Sequence, residues 1–229
     1  MTTTSQLYLP IKGMQYSVIP EVSLLGKDLW EAQLYAQDNG LVVLSSPDIN
    51  RLARAVKGDN PDRQFLRYAR EQAEKQGTSL NDNDAKDGYK RLHDGLWKQY
   101  VAIAREILVW TRDAQPINHP MIVLKDMPVT SHLITDYRVE KQGDGYRIVE
   151  AVVTSANWMK EDGAITPEMA QLLGAEPNTH VWTNPNPDYE NGLRALGWDF
   201  RGRERPYLVS DWEPWDRNSY GGSLLGRRL

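Results

Sequence analysis

An α+β fold is predicted for this chain by three observations. Apolar residues recur every three or four positions through the N-terminal half, a strictly alternating stretch surrounds a Gly-rich turn near residues 132–153, and the C-terminal third follows neither period. The expected architecture is a helical N-terminal half with one long central helix, a small antiparallel sheet with a hairpin near 132–153, and an irregular, aromatic-rich C-terminal third.

Met14 to Ile19 reads as a strand stopped by Pro20, whose nitrogen cannot donate to a ladder. Leu29, Trp30, Ala32, Leu34 and Tyr35 give Lys27 to Gln37 an apolar helical face, and Asn39-Gly40 is a left-handed stop. Leu41 to Leu44 is a short buried strand. Ser46 is expected to cap a helix that carries Pro47 in its first turn and runs to about Lys57, and another helix runs from Pro61 to about Gln76. Tyr89, Leu92, Leu96, Tyr100, Ile103, Ile107 and Trp110 then recur at helical spacing, with Trp97, Val101, Ala104 and Leu108 as a second stripe. This predicts the long central helix from about Ala85 to Arg112, roughly 40 Å at 1.5 Å per residue.

Pro116 to Pro120 ends that helix ahead of a short strand from Met121 to Leu124. In the hairpin, a symmetric turn at Gln142-Gly143-Asp144-Gly145 places Val139 opposite Ile148 and Glu140 opposite Arg147. The same register puts Glu150 on the apolar face, which demands an edge position or a buried partner. Farther on, Thr166 caps a helix from Pro167 to Leu173 ended by Gly174, and a second helix spans Asp188 to Leu196. Pro206 to Val209 is a strand, and Gly221 to Leu229 reads as a flexible tail whose leucines are free to dock on another subunit. One domain over 1–229 is expected, with a possible division into an α+β body (1–153) and an aromatic-rich subdomain or arm (154–229).

The 27 basic and 31 acidic residues leave a net charge of −4, which gives the whole molecule no attraction to nucleic acid or an anionic bilayer. The absence of cysteine excludes disulfides, thiol catalysis and iron–sulfur clusters. Residues 1–6 lack the basic and apolar regions of a secretory signal and no apolar run reaches membrane-spanning length, so a cytoplasmic protein without a membrane partner is expected. Phosphate-loop, dinucleotide and nucleophile-elbow motifs are missing, no His-Glu-x-x-His occurs, and no cofactor or metal is expected. Asn81 to Gly88 imitates a calcium loop but has Lys86 at its fifth position and its turn glycine one place late, so it reads as a solvated helix entry.

Three residue sets remain as candidates. Trp182, Trp198, Tyr207, Trp212, Trp215 and Tyr220, interleaved with polar residues, suit anchoring, a partner interface or a small-ligand pocket with carboxylates such as Asp211 and Asp216. Arg63, Arg67 and Arg70 share one helix face and could follow phosphates, although Arg67 with Glu71 and Arg70 with Glu74 also suit ordinary ion pairs. His132, Asp136 and Glu140 lie at alternate positions of one strand and form the one His–carboxylate set. The function expected from these features is a non-enzymatic protein-interaction or assembly protein, self-associating or bound to another protein through its aromatic C-terminal surface. The alternatives are a nucleic-acid-binding module using residues 47–76, and a carbohydrate- or small-ligand-binding protein or hydrolase.

Overall fold

A computed structural model describes residues 6–21, 23–111, 117–119, 122–124, 131–155, 164–182, 191–201, 206–212, 214, 216–217 and 221–229. The chain opens with β1 (Leu9–Pro10), β2 (Tyr16–Val18), α1 (Leu29–Asp38) and β3 (Val42–Val43), followed by α2 (Ser46–Ala55), α3 (Arg63–Lys75) and α4 (Asp82–Asp94). A π turn, Gly95–Gln99, leads into β4 (Val101–Thr111), the small hairpin β5 (Ile117–His119) and β6 (Ile122–Leu124), and the long hairpin β7 (Ser131–Gln142) and β8 (Gly145–Ser155). Then come α5 (Pro167–Leu173), β9 (Val181–Trp182), β10 (Asn191–Asp199), β11 (Tyr207–Trp212), β12 (Gly221–Ser223) and β13 (Leu225–Arg228). The fold is α+β, as expected.

The five helices among the described residues all start the same way. Asp28, Ser45, Asp62, Asn81 and Thr166 each sit in extended backbone and accept the N–H three residues on, which satisfies one of the orphan donors at a helix start. Thr166 and Gly174 bound α5 where the sequence places them, with Gly174 left-handed at φ 61°. The cap of α2 is Ser45, one residue earlier than expected, and this frees Ser46 for a different bond described below.

The long central helix is not formed. The helix ends at Asp94, the chain turns, and Val101–Thr111 is the central strand of a seven-stranded, largely antiparallel sheet ordered β8-β7-β4-β10-β11-β9, with β12 also on β4. Ala102, Ala104 and Leu108 enter one core with Leu133, Leu196, Trp198 and helix residues such as Leu52 and Leu92, whereas Ile103, Ile107 and Val109 enter another with Trp30, Ile134 and Leu193. A strand buried on both faces is apolar at nearly every position, so any period can be read into it. The expected helix from Asp188 to Leu196 is likewise replaced, over its described part, by β10, which pairs with β4 and β11.

The C-terminal third is therefore not irregular as a whole where it is described, since it supplies α5 and the strands β9 to β13, and its end is not a free tail. In the second sheet, ordered β1-β2-β13-β3, the terminal strand β13 lies between β2 and β3. Just before it, β12 runs parallel to β4 in the large sheet, so nine residues join the two sheets. Leu224 and Leu225 are buried in the two cores, and their carbonyls accept from Leu44 and Ile19. A Cβ on Gly226 would stand 2.9 Å from Cβ of Tyr16, so only glycine lets β13 settle against β2.

The long hairpin keeps the expected register, Val139 opposite Ile148 and Glu140 opposite Arg147, and also resolves the Glu150 anomaly. Pairing slips between Ile134 and Asp136 and again between Asp136 and Arg138, with Glu150 left-handed at φ 55° in the second bulge. The bulge turns Glu150 outward, where Arg138 reaches it at 3.3 Å.

Deleting residues 221–229 is expected to abolish the cooperative thermal transition followed by circular dichroism, because it removes a strand from both sheets. Gly226→Val should retain the transition but lower stability by about 2 kcal/mol through overpacking against Tyr16. Retention of the wild-type melting temperature by either variant would show that β13 is dispensable.

Candidate functional site

The sequence-predicted sets, where the structure describes them, lie on separate elements. Trp198 is fully buried, stacks on Phe200 and donates from Nε1 to Ser46 Oγ at 2.8 Å, which makes it a core anchor. Trp212 is half-buried against Gly197 and Gly221, and Tyr207 is half-buried in β11. Trp182 belongs to β9, while Trp215 and Tyr220 lie outside the described residues. On α3, Arg63, Arg67 and Arg70 are exposed as expected. Arg67 approaches Glu71 at 3.9 Å, but Arg70 turns to Asp82 at 3.2 Å rather than to Glu74. Of the His132, Asp136 and Glu140 set, His132 is described only as part of the β7 backbone, and pairing with β8 slips between Ile134 and Asp136. Ile134 and Tyr137 consequently share a core, while Asp136 faces Arg105 at 3.8 Å and Glu140 faces Arg138 at 2.8 Å.

Among the described residues, one concavity is a groove of about 950 Å³ between the smaller sheet and the α3–α4 region. Leu7, Ile19 and Leu80 contribute its apolar surface, and polar groups come from Ser17, Gln76 and Ser79. Each wall has a local cause. Gly88, midway along α4, lets that helix close on Leu7 and Pro20, since a Cβ there would meet each at 3.3 Å. Thr78 turns the chain after α3 by giving its N–H and hydroxyl to the Ala73 carbonyl. Ser17 Oγ donates to Gln76 Oε1 at 3.3 Å across the groove, tying sheet to helix.

Charge is divided between these walls. On the helix side, Arg91 stands between Asp87 at 3.1 Å and Glu21 at 3.9 Å, and Asp84 accepts from the Asn81 amide at 2.8 Å. On the sheet side, β13 supplies Arg227 and Arg228, neither of which has a carboxylate partner among the described residues. The Arg227 guanidinium instead lies 4.1 Å from the centre of the Tyr8 ring, a cation–π contact. Sequence reasoning missed this site because its arginines fall in a segment read as a mobile tail. The Arg227-Arg228 pair itself was visible.

No family model matches the chain, and no curated protein or solved structure matches it at a significant level. Among the described residues no three His, Asp or Glu side chains are placed to share a metal ion, and no helix is long and apolar enough to cross a membrane.

Two buried polar groups lie outside this groove, His93, for which the sequence favours packing over ligation, and Glu106. His93, on α4, has Nδ1 2.8 Å from the Val56 carbonyl at the end of α2; a carbonyl can only accept, so Nδ1 carries the proton. Its Nε2 lies 3.3 Å from Asp59 Oδ1 without a directed hydrogen bond, so the contact is an electrostatic neighbour and not a catalytic pair. Glu106, on β4, is 3% exposed and accepts the Ser46 N–H at 2.8 Å. Burial pushes its carboxyl up to about 7 from the ordinary 4.5, against the opposing pull of the Ser46 N–H.

Because the folded state holds this proton more tightly than the unfolded chain does, Glu106 contributes stability that is fully present below about pH 4.5 and is lost as pH rises through about 7. The loss is on the order of 3 kcal/mol. Glu106→Gln keeps an acceptor for Ser46 and should flatten this part of the stability–pH curve measured by urea unfolding. An unchanged slope in the variant would remove Glu106 as its source.

Proposed function

We propose that the chain is a non-enzymatic binding protein that holds an extended segment of a partner polypeptide in the groove between β13 and α4. The observation that carries this reading is Arg227, whose guanidinium lies over Tyr8 beside a 950 Å³ groove and has no carboxylate partner among the described residues. Small-molecule sites are mostly apolar with a few polar groups, whereas this lining is polar or charged at most positions, which suits a polar chain. The Ser17–Gln76 bond and the Arg227–Tyr8 contact hold the walls in place before a ligand arrives, which lowers the ordering cost of binding.

The reading keeps the protein-interaction class expected from the sequence and moves the surface. Trp198 is committed to the core and Trp212 packs on two glycines, so the C-terminal aromatics give it little support. The nucleic-acid alternative is weakened by the carboxylates that already face Arg67 and Arg70.

A photo-crosslinking amino acid placed at Ser79, on the groove wall, should give a discrete polypeptide adduct in native cells, and the same amino acid at Val152, on the exposed edge strand β8, should not. The adduct should fade in an Arg227→Gln, Arg228→Gln background. Absence of any Ser79 adduct, or identical adducts from both positions, would overturn the reading.

A further inference from the structure

We infer that the groove selects a segment in which a large apolar side chain and a carboxylate are separated by one residue; this rests on the groove being the binding site. A smaller concavity of about 340 Å³ opens beside it, with Leu24, Leu25, Tyr35 and Leu225 in its lining. Gln6 and Glu21 line both spaces, so the two are continuous. Leu25 and Tyr35 are 40% and 42% exposed, two of the four large apolar or aromatic side chains left so open among the described residues. The backbone beside Leu25 is itself unusual. Leu24 is left-handed at φ 59°, a conformation that leucine rarely adopts, and the Lys27 N–H closes the following turn on the Leu24 carbonyl. Such backbone persists only where its surroundings hold it, and it gathers at sites that clamp ligands.

The apolar space and the uncommitted charge are joined by one strand. Leu225 lines the smaller concavity and Arg227 lines the groove. Pairing of β13 with β2 is regular from Gly226 to Arg228, and Leu225 continues it by accepting the Ile19 N–H. Side chains two apart on such a strand leave the same face about 7 Å from each other, so Leu225 and Arg227 share a face and Arg228 does not. Glu21, the acidic group where the two spaces meet, already faces Arg91 at 3.9 Å, whereas Arg227 lies over Tyr8 without a carboxylate partner among the described residues. An acidic group is therefore the complement of this face. An extended segment lying along β13 repeats the same spacing between its own alternate side chains, so an apolar residue that fills the smaller concavity sets a carboxylate two positions away at Arg227. An acidic residue directly adjacent to the apolar one points to the other side and misses the guanidinium.

The test measures fluorescence anisotropy of fluorescein-labelled peptides of ten residues with the full chain at low salt. Each peptide is built of Ser and Thr around one Trp and one Glu, either separated by one residue, in both orders, or adjacent. Two controls replace the Glu by Gln or the Trp by Ser. One of the two spaced peptides should bind at least about threefold tighter than the adjacent and Gln peptides and at least about tenfold tighter than the Ser peptide. Arg227→Gln should erase the preference for Glu over Gln, and Leu25→Ser should weaken the preference for Trp over Ser, with circular dichroism confirming that both variants are folded. Equal binding of the spaced and adjacent peptides, equal binding of the Glu and Gln peptides, or no binding by any of them would overturn the inference. Any of these results with the Ser79 adduct still formed by the wild-type chain would keep the groove as the site and reject this pattern. Absence of that adduct as well would reject both.

Discussion

The central strand is tied to its surroundings at one irregularity, and most of the architecture depends on it. Between Ile107 and Ile103 the pairing of β4 with β10 jumps by four residues against two, so Ala104 to Glu106 bulge from the ladder. Both backbone groups of Arg105, in the bulge, are used. Arg105 gives its N–H to the Leu44 carbonyl and its own carbonyl accepts from the Tyr137 hydroxyl at 2.7 Å, while Gln33 on α1 donates to the same hydroxyl. On the opposite face Glu106 accepts from Ser46, whose hydroxyl receives the Trp198 indole N–H and whose carbonyl receives Asn50. One bulge thus fixes α1, the start of α2, β7 and β10 to β4. A buried carboxylate costs several kcal/mol unless it is bonded, and here the first turn of a helix supplies both an orphan N–H and the positive end of its dipole.

The terminal strand extends this arrangement to the second sheet. Leu44, whose carbonyl accepts from Arg105, gives its own N–H to Leu224, directly between β12 and β13. A chain running from the bulge through Leu44 to Leu224 therefore connects the large sheet to the small one by backbone bonds alone. Late C-terminal residues complete what early N-terminal residues begin, so the cores depend on contacts of long sequence separation, a topology associated with slow folding.

The parts that the sequence disclosed are those governed by local chemistry. Helix starts follow from Ser, Thr, Asp or Asn at a cap, and the α5 boundaries from Thr166 and Gly174. The hairpin register follows from the turn. The parts that stayed hidden are governed by burial. β4 and β10 have apolar residues on both faces, and the difference between such a strand and a buried helix lies in what covers it, which no window of sequence contains. The reading of Gly221 to Leu229 as a tail failed for the same reason: glycines there permit close approach to Tyr16 and Ile103, not mobility. Of the candidate site, the individual arginines were visible, but their neighbours Tyr8, Ser17 and Gln76 were not, since they come from the other end of the chain.

That separation has a mechanistic consequence. The backbone of Arg227 and Arg228 holds β13 to β2 opposite Ser17 and Tyr16, while the Arg227 guanidinium lies over Tyr8 beside the groove. The strand that completes the small sheet also borders the groove, so the groove takes its shape only in the completed fold. Its two functions remain separable, because the first uses backbone groups and the second uses guanidiniums. Neutral, shape-preserving changes at Arg227 and Arg228 leave the ladder intact and alter only what the groove can hold, whereas a change at Gly226 disturbs both.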